Sequence, residues 1–236
     1  MKTRARKFVH MGINYVVLPT VSIDQRKSLQ FQEALLSAGI DFTSVALQDQ
    51  QIRVQRKPPL PLEIRVIVQA AKPKSLAQVL ILGPAPYNAL NNFASEVEAV
   101  LQAFEQTWPA PHRQIVSSDV TLRCLYPSTS EHAFQEIWEG RLGQSPAALT
   151  ALGRPVLGGG LRFVMPPQAG DPQPTQIEVK IESFFQDAQK IFVETQFLWP
   201  GSRPIGTPFE PAAKLQQANA YILEHVHAFL SGQATG

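Results

Sequence analysis

The densest concentration of residues suited to chemistry is LGRPVLGGGLRFVMPP, residues 152–167. Three consecutive glycines, Gly158, Gly159 and Gly160, stand between Arg154 and Arg162. Bare backbone amides can approach an anion closely, and flanking guanidinium groups would hold it. These five residues are the candidate anion-binding set. Known phosphate cradles, however, place their glycines between a strand and a helix, so that the helix N-terminus faces the phosphate. Here the glycines lead into a β-rich run, and no Gly-Lys-Ser/Thr follows. The preferred expectation is therefore structural: a flexible lead into a strand, or tight packing against another backbone.

The other reactive residue types are scattered. His225 and His227 stand two apart on a predicted helix, so they point to different faces and do not share a metal. His132 lies near a helix start beside Glu131, Gln135 and Glu136, with no second histidine or cysteine nearby. Glu178, Lys180 and Glu182 share one face of a predicted strand, and Glu194 and Gln196 share a face of the next. Burial could turn paired carboxylates into an acid–base pair, but alternating charges on an exposed sheet are expected as cross-strand ion pairs. No serine sits in Gly-x-Ser-x-Gly. The one cysteine, Cys124 in TLRCLY, is expected as a buried apolar thiol and cannot form an internal disulfide. No catalytic constellation emerges, and no metal or cofactor is expected.

The elements that would carry these residues follow from periodicity. An apolar strand over 11–18 is closed by Pro19, and a helix capped by Thr20 or Ser22 ends at Gly39. Strands follow over 42–47, 52–55, 62–68 and 77–82, then a long helix starting near 88–92. WPAPH, residues 108–112, breaks that helix and marks the boundary between residues 1–108 and 109–236. The order then repeats. A strand over 115–126 leads to a helix capped around 128–130. Ser145-Pro146 opens a short helix ending at Gly153. Strands cover 161–165, 177–181 and 191–198. Thr207-Pro208-Phe209-Glu210 reads as the cap of a last helix, whose buried stripe is Leu215, Ala218, Ile222, Val226 and Phe229.

Residues 59–86 and 174–201 resemble one another: a strand with alternating acid and base, a polar turn, an apolar strand and a Pro-Gly loop. Duplication explains this economically. The expected fold is α+β, two β-α-β(3–4)-α units with antiparallel sheets and long helices packed on one face. This element order resembles the duplicated TATA-binding-protein-like fold and the related helix-grip fold. The likeness is of order only; none of that protein's phenylalanine wedges or groove residues can be placed here, and it implies no function. Through GLRF (160–163), the strands after it and the C-terminal helix, the chain also resembles a sporadically distributed family of uncharacterised bacterial proteins. That likeness covers less than half of the chain and implies no activity.

Composition sets the outer limits. The chain has 236 residues, 44% hydrophobic and 17% charged, with a formal net charge of +2. That balance fits a packed globule and falls far short of a dedicated nucleic-acid binder. Lys2, Arg4, Arg6 and Lys7 form a basic arm, expected as a solvated terminus. No apolar run reaches the length of a membrane span, and no signal-peptide pattern is complete, so the expected location is the cytoplasm.

One signal remains. In 78–82 both strand faces are apolar, and 197–199 repeats this at the matching position. A strand with one face in water alternates more cleanly. Leu80, Leu82, Leu198 and Trp199 are therefore the expected interaction surface. The leading expectation is a non-catalytic binding protein that uses its sheet surface for a protein partner or a second copy of itself. The first alternative is a carrier of a small apolar ligand, with a helix-grip cavity between sheet and helices. The second is nucleic-acid binding through the basic arm with Arg53, Arg56, Lys57, Arg65, Lys72 and Lys74. An enzyme acting on a phosphorylated substrate near 154–162 ranks last.

Overall fold

The computed structural model describes residues 5–70, 74–84 and 89–232. Among these described residues it is a mixed α+β fold built on a nine-stranded sheet. The strands are β1 (Lys7–Leu18), β2 (Ser44–Gln48), β3 (Gln51–Arg56), β4 (Leu62–Gln69), β5 (Leu76–Pro84), β6 (Gln114–Pro127), β7 (Gly160–Met165), β8 (Gln176–Ser183) and β9 (Lys190–Trp199). They lie in the order β2-β3-β4-β5-β1-β6-β9-β8-β7, and every pairing is antiparallel.

Period-two alternation turns one set of side chains from each strand towards the helices. Met11, Ile13, Tyr15 and Val17 of β1 face that way, as do Val120, Leu122, Cys124 and Tyr126 of β6. Against this face pack α1 (Gln25–Ser37), α2 (Leu90–Thr107) and α4 (Pro211–Tyr221). The stripe of α2, Phe93, Val97, Val100, Leu101 and Phe104, recurs at helical spacing and is wholly buried. α4 continues through a π-helical turn (Ile222–Val226) into α5 (His227–Ser231); the His227 N–H reaches back five residues to the Ile222 carbonyl. A shorter helix, α3 (Ala133–Gln135), also runs on into a π-helical turn (Glu136–Arg141). A 3-10 turn (Pro146–Leu152) precedes β7.

The predicted linker at 108–112 is anchored to the core. Trp108 is buried with ring centroids 5.3 Å from both Phe31 and Phe104, and its indole N–H donates to the Ser22 carbonyl at 2.8 Å. Tyr15 donates to the Phe209 carbonyl at 2.6 Å, with the two rings edge to face.

Three predicted caps are corrected. Asp24, not Thr20 or Ser22, caps α1, accepting from the Lys27 N–H at 2.8 Å. His132 Nδ1, not a residue of 128–130, caps α3. Thr207 donates to the Pro204 carbonyl, and α4 starts at Pro211 after Glu210 in a left-handed conformation. In each case a nearer polar side chain or a proline sets the start, at positions where composition alone leaves several candidates. The Ser145 cap and the Gly153 stop stand where expected. Among the described residues, no helix is long and apolar enough to cross a membrane.

Candidate functional site

The π-helical turn between α4 and α5 lies over the β7–β8–β9 side of the sheet, and a cleft opens there. Its wider part, ≈ 490 Å³, lies between Met165, Phe197, Gln217 and Tyr221 and the loop 166–175. Its narrower part, an open groove of ≈ 180 Å³, is lined by Phe163, Val179, Ile181, Val226 and Phe229. Met165, Tyr221 and His225 belong to both parts.

Each side chain has a traceable position. Alternation on β7 sends Phe163 and Met165 to the helix side, opposite Val179 and Ile177. Tyr221 and His225 stand four apart, so one helix face carries both, with ring centroids 4.7 Å apart. Tyr221 also meets Phe197 edge to face at 5.4 Å, and Phe163 meets Phe229 likewise at 5.6 Å. The Tyr221 hydroxyl donates to Met165 Sδ at 3.2 Å, a weak acceptor, which leaves its own lone pairs available. Burial raises the Tyr221 pKa, so the phenol stays protonated. Asp171 ties the loop by accepting from the Gln168 and Thr175 backbone N–H groups at 2.9 and 3.4 Å. The arrangement presents aromatic edges, the hydroxyls of Tyr221 and Thr175, a thioether, amide side chains, the His225 imidazole and the Asp171 carboxylate. Glu224 Oε2 lies 3.8 Å from His225 Nε2, and among the described residues no group of three His, Cys, Asp or Glu could hold a metal ion.

The residues singled out from sequence fall in different places. Leu80, Leu82 and Leu198 do share a face, the one turned away from the helices. One row across the sheet runs Arg53, Arg65, Leu80, Asn14, Asp119, Leu198. Asn14 donates to Asp119 at 2.7 Å in its middle, and burial raises the Asp119 pKa. Trp199 does not belong to that face. It is 1% exposed on the helix side, with the Lys214 ammonium 3.9 Å from its ring centroid. The period-two rule required this, since Leu198 and Trp199 are neighbours.

Much of the charge on the helix-free face is paired. Arg53 and Arg65 both bind Glu63, Arg123 binds Glu194, Arg162 binds Glu178, and Lys180 lies 3.1 Å from Glu182. Burial opposes ionisation of Glu63, but the two arginines prevail and hold its carboxyl below the usual range. Arg56 is engaged by Asp41 and Glu96. Among the described residues these pairs engage Arg53, Arg56 and Arg65 of the predicted basic set. Lys2, Arg4 and Lys72 lie outside the described residues.

The glycine run is packed tightly. A Cβ at Gly160 would meet the Ile181 carbonyl oxygen and come within 2.6 Å of Glu182 Cα. A Cβ at Gly159 would meet the Phe134 ring at 2.8 Å, and one at Gly158 would meet Ser183 Oγ at 2.6 Å. The Gly159 N–H is itself taken by Ser183 Oγ at 3.1 Å. Arg162 is held by both oxygens of Glu178, at 2.7 and 2.9 Å. Arg154 is exposed in the loop. The five residues therefore do not converge as free anion donors.

Sequence reasoning missed the cleft. Tyr221 and His225 flank the helix stripe, and their four-residue spacing was the available signal.

No protein-family model matches the chain, and no curated protein is similar to it. Among solved structures it is similar to DynU16, a protein of the dynemicin biosynthetic locus, with 12% identity and a TM-score of 0.26 over 93% of this chain and 96% of that one. It is also similar to BexL, a di-domain ARO/CYC of the BE-7585A biosynthetic pathway. There the identity is 10% and the TM-score 0.18, over 96% of this chain and 99% of that one. Both scores are too low for anything about this chain to follow from them.

Proposed function

We propose that the protein is a non-catalytic binding protein and that its site is the cleft beneath the last helix, which takes a small ligand with a flat apolar body. The observation that carries this reading is the joined cleft: ≈ 490 Å³ opening onto ≈ 180 Å³ across Met165, Tyr221 and His225. That size suits a small molecule, and a mostly apolar wall with few polar groups is the usual make-up of such sites. The π-helical turn at the cleft adds support, because such turns concentrate at functional sites. The test is calorimetric titration with 1-anilinonaphthalene-8-sulfonate. Saturable binding that Phe163→Asp weakens at least about tenfold is expected. No binding, or binding indifferent to Phe163→Asp, removes the reading. Phe163 is 38% exposed, so this variant should still fold.

A second reading keeps the helix-free face as a contact surface for another protein. It is favoured by Leu80 and Leu198 standing in one row on either side of Asn14 and Asp119. A co-purifying partner unaffected by Leu80→Glu with Leu198→Glu would eliminate it.

The fold is also read here as a duplication. β1-α1-β2-β3-β4-β5-α2 and β6-α3-β7-β8-β9-α4 follow the same order, and the strand orders β1-β5-β4-β3-β2 and β6-β9-β8-β7 mirror one another across the centre. This order supports the likeness to the duplicated TATA-binding-protein-like fold. In chain order the second unit has the 3-10 turn and the loop before β7 where the first unit has β2.

A further inference from the structure

We propose that the excursion 143–160 and the β8–β9 turn form a two-fold contact with a second copy of this chain, each copy seating its Phe185 in the groove of the other. The excursion is the starting point. None of its residues is buried, although it carries Leu152 and Leu157, 68% and 82% exposed. An apolar segment whose leucines stay this exposed within its own chain is a surface awaiting cover.

Beside it lies a groove of ≈ 980 Å³, walled by Val156 and Leu157 on one side and by Phe184 and Phe192 on the other. Gly158 and Gly159 line it as well, and their missing side chains let the loop press against Ser183 and Phe134. On its lip stands Phe185, 99% exposed. Its turn is braced. Phe184 stacks on Phe192, the Asp187 N–H donates to the Phe184 carbonyl at 3.1 Å, and Asp187 Oδ1 accepts from the Gln189 N–H at 3.0 Å. A rigid aromatic knob beside an apolar groove on one surface is self-complementary, which is the requirement of an isologous dimer.

Charge selects the second copy as the occupant. Arg154 and Asp187 are both exposed, one on the excursion and one on the turn, and neither has an ion-pair partner among the described residues. Seating Phe185 beside Pro155, Val156 and Leu157 of the other copy carries Asp187, two residues on, towards that copy's Arg154, and two-fold symmetry repeats the contact.

The test is sedimentation velocity on the full chain, with Phe185→Ser, Arg154→Asp, Asp187→Arg and the double reversal. A concentration-dependent dimer is expected, weakened at least about tenfold by Phe185→Ser. Each single reversal should weaken it by a similar factor, and the double reversal should recover most of the loss. Thermal unfolding of each variant separates loss of contact from loss of fold. A wild-type chain that stays monomeric at about 0.1 mM overturns the proposal. So does a dimer indifferent to Phe185→Ser, a double reversal no better than the singles, or a monomer that holds a different protein at this surface.

Discussion

Replacing Gly160 by alanine separates the two readings of the glycine run. The added methyl would meet the Ile181 carbonyl oxygen and Glu182 Cα, the latter at 2.6 Å. Real Cβ atoms do not approach backbone so closely, and backbone has no rotamer by which to withdraw. The start of β7 must therefore move off β8. Overpacking of this kind costs about 1–3 kcal/mol. In a chain of 236 residues a loss of about 2 kcal/mol lowers Tm by roughly 4–8 °C. Differential scanning calorimetry, with titration of inorganic phosphate in parallel, gives both readouts. The packing reading requires a lower Tm and no phosphate binding in either protein. An unchanged Tm together with loss of a phosphate affinity present in the wild type would refute it and restore the anion cradle.

Three further outcomes follow from buried polar groups. Tyr15→Phe removes the hydroxyl that donates to the Phe209 carbonyl at 2.6 Å and should cost about 1–2 kcal/mol in urea unfolding. His10 is lowered from 6.5 to about 4, first by burial and then by Arg123, so the folded protein holds it neutral. The unfolded chain binds the proton more readily; the contribution is complete above pH 6.5 and is lost as pH falls towards 4, on the order of 2–3 kcal/mol. His10→Gln should flatten that slope in denaturant midpoints measured from pH 7 to 4. Arg113 is 6% exposed, with burial lowering its pKa and its guanidinium over the Phe104 ring at 4.6 Å; Nη2 donates to the Trp108 carbonyl and Glu105 Oε1 lies 3.7 Å from Nε, but Nε and Nη1 have no hydrogen-bond partners. Arg113→Met should therefore cost less than about 1 kcal/mol by the same unfolding assay, and a loss above about 3 kcal/mol would contradict this.

Sequence patterns located the strands because alternation reports burial directly. Every strand core fell within a predicted segment, and the cross-strand pairs Arg162–Glu178 and Arg123–Glu194 follow from period two once strands adjoin. Two features were out of reach. Which strands adjoin is a matter of topology: nothing local to β1 or β6 announces that they lie side by side. The cleft was hidden because its walls come from β7, β9, the 166–175 loop and the last helix at once. Trp199 was misplaced for a simpler reason. Apolar neighbours on a strand cannot share a face, so a run that is apolar on both sides always assigns some of its residues to the core.

The pairing of β1 with β6 has a consequence for biosynthesis. Asn14 meets Asp119 across 105 residues of chain. At elongation rates of about 5–20 residues per second, β1 waits on the order of 5–20 s on the ribosome before β6 is made. β5 and α2 emerge earlier and cover one edge and one face of β1, but its other edge stays open through that interval. An open edge of 12 residues is a template for pairing with other nascent chains. Slower translation across the stretch between α2 and β6 would lengthen that exposure, and the yield of native protein should fall with it.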